Sequence, residues 1–204
     1  MSLIDRLSQQ FSRFPGIGAR QARRFVYFLL SADQAFADDL VRNIKRAREE
    51  VAQCSVCFRY FEMQNAKHQL CVLCGDESRD CSILLVVEKD ADLEVVHKSG
   101  VYNGGYFVLN GRLPLSGEGK TLVRLPELRL RLEKEASRGL KEIVFALSAN
   151  PEGDYTVLEL KKALAPLVQK NNIFFSTLGR GLSTGTELEY SDEDTIKSAL
   201  ENRH

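Results

Sequence analysis

The stretches Cys54-Ser55-Val56-Cys57 and Cys71-Val72-Leu73-Cys74 narrow what this chain can fold into more than any other part of it. A Cys-x-x-Cys turn aims two sulfurs at one point. Two such turns, with thirteen residues between them, close a tetrahedron of thiolates of the kind that holds structural zinc. Four sulfur ligands leave no open coordination position, so the pattern predicts one zinc ion per chain that staples a small module over 53–79. Two disulfides would need an oxidising compartment. A redox motif accounts for one pair but not for two. His68, inside the loop between the pairs, could replace a ligand, but four sulfurs already suffice.

The other bulk features fit a soluble chain of one ordinary domain with small appendages. Met1 to Gln10 is amphipathic and not a leader-like apolar run, and no apolar stretch is long enough to cross a membrane. Together with the cysteines this points to a reducing cytoplasm. The fifth cysteine, Cys81, opens the apolar run Ile83-Leu84-Leu85-Val86-Val87 and is expected to be a buried core thiol. Lys and Arg number 28 and Asp and Glu also 28, which taken whole argues against nucleic acid. The distribution argues for it. Residues 1–30 carry Arg6, Arg13, Arg20, Arg23 and Arg24 against Asp5 alone, whereas residues 80–204 carry 16 basic and 19 acidic side chains. A basic end on a mildly acidic body suits phosphate binding beside a protein-binding surface.

Periodicity divides the chain further. Leu3, Ile4, Leu7 and Phe11 share one helical face, the turn Phe14-Pro15-Gly16-Ile17-Gly18 stops that helix, and a second follows over Ala19 to Leu30. Asp33 caps a third helix with Phe36, Leu40, Ile44 and Val51 as its apolar stripe. Its Lys45–Glu49 and Arg46–Glu50 spacings mark the basic run as a solvated face. After the cysteine module, strands at Ser82–Val87, Tyr106–Leu109, Ile143–Leu147 and Ile173–Leu178 alternate with helices. Those helices are Ala91–Ser99, one starting at Pro126 and ending at Gly139, and Tyr155–Val168 limited by Pro166. This order predicts a parallel α/β sheet. A last helix is expected over Asp192–Arg203, capped by Ser191 or Asp192.

Two constellations carry chemistry. Gly16 and Gly18 let a ligand approach the backbone closely at the start of a helix whose first two turns hold Arg20, Arg23 and Arg24. That is the design of a phosphate-gripping hairpin. Glu88 follows the first strand of the α/β unit, and Glu152 and Asp154 follow the third. Ligands of open parallel sheets collect at these strand ends, and acids there could hold Mg2+ through oxygen. Alternatively they line a polar loop or cap a helix. Gly117-Glu118-Gly119-Lys120-Thr121 is not a Walker loop, because Pro114 stands where its first glycine belongs.

The order of these parts resembles the RecR family of recombination mediators. It rests on Phe14-Pro15-Gly16-Ile17-Gly18, the cysteine quartet, Val86-Val87-Glu88, Glu152-Gly153-Asp154, Arg180-Gly181-Leu182 and Gly185-Thr186-Glu187-Leu188-Glu189-Tyr190 followed by Asp192. The resemblance implies a helix-hairpin-helix domain over 1–52, the zinc module, a Toprim domain over 80–178 and a C-terminal segment over 179–204. It implies a non-enzymatic protein that binds DNA through the basic residues of the hairpin, with Arg20 and Arg24 at the matching positions. Such a protein assembles as a homodimer or homotetrameric clamp and works with RecO, and in many bacteria RecF, to load RecA on single-stranded DNA. In the family the Toprim acids, here Glu88, Glu152 and Asp154, are tied to RecO contact. The stretch Leu109-Asn110-Gly111-Arg112-Leu113-Pro114 departs from the family pattern, and Glu152 replaces the first Asp of the pair in catalytic Toprim enzymes. The competing reading is a Toprim metal-dependent nuclease or strand-transfer enzyme.

Overall fold

The computed structural model describes residues 1–63, 70–116, 123–179, 181–182, 185 and 187–201. His68, the stretch 117–121, Arg180 and Thr186 lie outside the described residues. The chain divides into two compact units, Met1–Val51 and Ala52–His204.

The first unit holds three helices, α1 (Leu3–Phe11), α2 (Ala19–Ser31) and α3 (Gln34–Glu50). Ser2 opens α1 in a reciprocal capping box with Asp5, and Asp33 caps α3 by accepting from the Phe36 N–H at 2.8 Å. The interior is small. Ala22 and Val26 are fully buried, Phe25 of α2 meets Phe11 of α1 edge-on, and Phe28 meets Phe36 the same way across α2 and α3. Arg46 and Glu50 pair on the outer face of α3, as their spacing implied.

After α3 come β1 (Val51–Gln53), at the boundary of the two units, and β2 (Tyr60–Glu62), which pair with each other, and the short α4 (Val72–Gly75). The α/β order follows: β3 (Asp80–Val87), α5 (Asp90–Ser99), β4 (Gly104–Val108), α6 (Leu125–Ala136), β5 (Glu142–Ala146), α7 (Pro151–Lys170) and β6 (Phe174–Thr177). A 3-10 turn, Leu188–Tyr190, and α8 (Glu193–Glu201) end the described residues, with Arg203 of the expected last helix outside them; Asp192 caps α8 through the Thr195 N–H. The four strands are parallel in the order β4-β3-β5-β6. From β3 the chain steps outward to β4 and then crosses back to β5 on the other side. The order therefore reverses between β3 and β5, and the loops after these two strands diverge to open a crevice.

Both faces of a parallel sheet must be covered. Alternation along β3 sends Leu84 and Val86 to one face, with Leu128 and Leu132 of α6 and Leu160 and Leu164 of α7. Leu85 and Val87 go to the other face, where they meet Leu93 of α5, Leu73 and the cysteines 54, 57 and 71. The cysteine module is thus part of the second core. It also closes the free edge of β4. The Val108 N–H donates to Cys57 O at 2.8 Å, while the outward carbonyls of Gly104, Tyr106 and Val108 accept from Arg79, Arg131 and Arg124. Arg131 donates as well to Val56 O at 2.6 Å, and Arg124 stacks on Phe58, whose ring packs edge-on against Phe107.

Two expectations change. Cys81 is exposed, with its thiol 3.6 Å from Arg138 O. β3 begins at Asp80, two residues ahead of the expected start at Ser82; only its last four residues are fully buried, and its register against β4 shifts between Asp80 and Leu84, so Cys81 sits in the irregular, exposed start of the strand. The helix expected from Tyr155 begins at Pro151, because Asn150 caps it through the Gly153 N–H at 2.9 Å and proline fits the first helical position. It also runs through Pro166 to Lys170. Pro166 is on the solvent side, where water can take the carbonyl that its missing N–H leaves free. The remaining strand ends differ by one or two residues.

Gly153 is the tight point of this arrangement. A Cβ there would overlap Ser148 O. Gly153→Ala is therefore expected to destabilise the α/β unit by about 1–3 kcal/mol, the usual range for overpacking. Chemical denaturation of the wild type and variant checks this.

Candidate functional site

The local folding of the cysteine turns explains the metal centre. The first turn is closed by the Phe58 N–H donating to Cys54 O, with Phe58 in the left-handed region at φ 62°. The second is the start of α4, where Cys71 is the N-cap and Cys71 O accepts from the N–H groups of Cys74 and Gly75. The four sulfurs lie within 4.8 Å of one another, and the Cys57 and Cys71 sulfurs are 3.6 Å apart. That separation is far beyond a disulfide bond of about 2.0 Å. It fits a tetrahedron with zinc–sulfur bonds of about 2.3 Å, whose edges are about 3.8 Å. The Cys71 N–H points at the Cys54 sulfur, a donor of the kind that steadies a metal-bound thiolate. Crowding sets the thiols against one another. Hydrogen bonds from Cys57, Cys71 and Cys74 lower the pKa of Cys54, and the Cys54 thiolate in turn raises those of Cys57 and Cys74. A cation among the sulfurs removes this conflict, so the donor set fits a metal ion such as zinc.

The crevice at the sheet's reversal holds the acids. Glu88, 6% exposed, sits just past β3. Its Oε2 accepts from the Ser148 hydroxyl at 2.7 Å, and its Oε1 is 3.2 Å from Nε of Arg112. Nη1 of the same guanidinium is 3.3 Å from Oε2 of Glu152 in the first turn of α7. The structure thus brings Glu88 and Glu152 together through Arg112. Asp154, on the same helix, lines a hollow of about 220 Å³ with Leu147, Ser148, Val157 and Leu178. Among the described residues the cysteines form a metal-competent cluster and the three acids do not. Sequence reasoning missed Arg112 and Ser148. Asn110 and Gly111, both at positive φ just past a strand, were the available sign of a tight loop entering the crevice.

The hairpin belongs to the first unit. Ile17 N–H donates to Phe14 O at 3.1 Å, and Gly16 adopts φ 75°, which a residue with a Cβ reaches only under strain. Gly18 is the N-cap of α2 and offers no side chain to its amides, and the space around both glycines is open. The first-turn N–H groups therefore face outward at the positive end of the helix dipole, with no acid in that turn. Arg20 and Arg24, four residues apart, are exposed on this helix. Arg23 turns the other way, to Asp5 at 3.0 Å, and ties α2 to α1. Asp5 is held below the usual carboxylate range chiefly by the Ser2 hydroxyl and N–H, with Arg23 adding to them.

Comparison with known proteins matches the chain in three parts. Residues 4–48 match the family model described as RecR, helix-hairpin-helix; residues 82–175 match the Toprim domain; residues 181–204 match RecR, C-terminal. Relatives named recombination protein RecR include that of Roseiflexus castenholzii, 37% identical over 201 residues, covering 98% of this chain and 92% of the relative. Those of Pelodictyon phaeoclathratiforme and Streptococcus thermophilus are 35% and 34% identical, with 98% of this chain covered and 95% and 96% of the relatives.

The metal centre makes a prediction about the whole second unit. Elemental analysis should find about one zinc per chain. Because the cysteines share a core with Leu85, Val87 and Tyr106, chelation or Cys71→Ser should lower the unfolding midpoint of the α/β unit as a whole. The loss draws on an apparent binding energy of roughly 10–16 kcal/mol for structural zinc. Calorimetry with and without chelator is the measurement.

Proposed function

The chain belongs to the RecR family, and on that basis we propose that it is a non-enzymatic DNA-binding scaffold of recombinational repair in the cytoplasm. In this reading it works with RecO, and with RecF where present, to load RecA on single-stranded DNA. The observation that carries the DNA-binding role is the hairpin: an uncapped, acid-free N-terminus of α2 beside exposed Arg20 and Arg24. Backbone amides and arginines there can grip phosphates, and they carry no base-reading code. Arg23 contributes by fixing α2 against α1 through Asp5. Zinc in the quartet Cys54, Cys57, Cys71 and Cys74 serves as a structural ion.

The assembly is a homodimer or a homotetrameric ring. Support comes from α3, where Phe36, Val41 and Ile44 leave apolar area exposed that a second copy could cover. The carboxylates Glu88, Glu152 and Asp154 serve partner contact. The nuclease or strand-transfer reading needs a divalent ion between acids, and here Arg112 already spans Glu88 and Glu152.

Fluorescence anisotropy with a labelled single-stranded oligonucleotide tests the DNA role. The Arg20→Ala/Arg24→Ala variant should bind at least about tenfold more weakly. Its log K against log salt should be about 1.4 shallower, at about 0.7 per phosphate contact. Unchanged affinity and slope would remove the hairpin from the DNA interface. DNA cutting that depends on Mg2+ or Mn2+ and disappears in Glu88→Ala would establish the enzymatic reading instead. Light scattering should give two or four times the 23.0 kDa chain mass.

A further inference from the structure

The Toprim fold is one in which acids at the strand ends commonly meet a divalent cation, so the fit of this crevice to such an ion is a question its own residues can answer. Magnesium needs near-octahedral oxygen ligands at about 2.0–2.1 Å. The two carboxylates that face each other here, Glu88 and Glu152, have a guanidinium between them, 3.2 Å from one and 3.3 Å from the other. The second oxygen of Glu88 is taken by the Ser148 hydroxyl. Asp154 does not join them in a cluster. A metal ion entering between Glu88 and Glu152 would have to displace a cation already ion-paired with both, or sit beside it against like-charge repulsion.

The loop that carries Arg112 is fastened on both sides. Gly111 N–H donates to Glu88 O at 3.0 Å, and Leu113 N–H donates to the Thr156 hydroxyl at 2.9 Å. That hydroxyl in turn donates to Glu152 O at 2.6 Å. The anchors are thus the backbone of one acid and, through Thr156, the backbone of the other. Thr156 is fully buried, and the Arg112 side chain is 30% exposed, so the guanidinium lies in a partly desolvated site where its attraction to a buried carboxylate is screened little. The planar fork of arginine suits two acceptors at once, which a lysine ammonium would not reproduce.

We propose that Arg112 is the resident counter-ion of the Toprim carboxylates, and that this crevice is neutralised by the chain itself in place of a divalent metal. The consequence is a carboxylate surface whose charge and geometry are independent of Mg2+. This holds whether or not the hairpin binds DNA.

Zinc-loaded protein titrated with Mn2+ alone, with bound ion counted by electron paramagnetic resonance, tests it. Wild type should show no Mn2+ site that disappears in Glu152→Gln, a change at a half-exposed side chain. Arg112→Gln should gain one site, and the Arg112→Gln/Glu152→Gln double variant should lose it again. Mn2+ should raise the unfolding midpoint of Arg112→Gln and leave that of wild type unchanged. A wild-type site abolished by Glu152→Gln overturns the proposal, as does a folded Arg112→Gln that gains none. Should Arg112→Gln not fold, the wild-type and Glu152→Gln pair decides alone.

Discussion

A parallel sheet leaves no face that can be given to water, and in the α/β unit that requirement is met unequally. α6 and α7 cover one side of β3 with leucines. On the other side α5 is short and buries Leu93 alone among its own residues. The rest of that face is closed by Leu73 and three cysteines. Sulfur is adequate as apolar filling, but four thiols at one point cannot all ionise without a cation, because each further thiolate meets the charge of the first. A metal ion that joins them turns a poor piece of core into a rigid one. The strand pairing of β3 and the packing of Tyr106 and Val108 lie downstream of it, and the acid crevice hangs on the end of that same strand.

What the residues disclosed in advance was whatever is local in the chain. The cysteine spacing gave the quartet, the apolar run gave β3, and Asp33 gave the start of α3. The Asn150-Pro151 pair was an equally local sign of a helix start, although the acids after it suggested a loop. The features that stayed hidden depend on register between distant segments. Cys81 belongs to the apolar run by composition, yet pairing with β5 begins only at Ile83 and the register against β4 shifts between Asp80 and Leu84, so the thiol lies in an irregular, exposed part of the strand. Arg112 looks like any loop arginine until β3 and α7 are set side by side. Arg23 resembles Arg20 and Arg24 in sequence, and only the packing of α1 on α2 separates it from them through Asp5.

Charge is used in the two units in opposite ways. In the first unit, acids are withheld from the turn that begins α2, and the helix end stays electropositive. In the second, two acids are gathered at a strand end and a single arginine is held between them. Formal neutrality of the whole chain conceals both arrangements. The first supports binding whose strength varies with salt, whereas a pair as shielded as Arg112 and Glu88 responds to salt much less.

The β4 edge carries a last implication. An outer strand normally offers bare backbone to any extended chain that drifts past. Along β4, that ladder is already occupied by the Cys57 carbonyl and by the guanidinium groups of Arg79, Arg131 and Arg124. A stray strand meets side chains there and finds no row of open partners. The sheet is thereby given a terminus. Copies of this protein crowded together cannot stitch to one another through β4, however high their local concentration becomes.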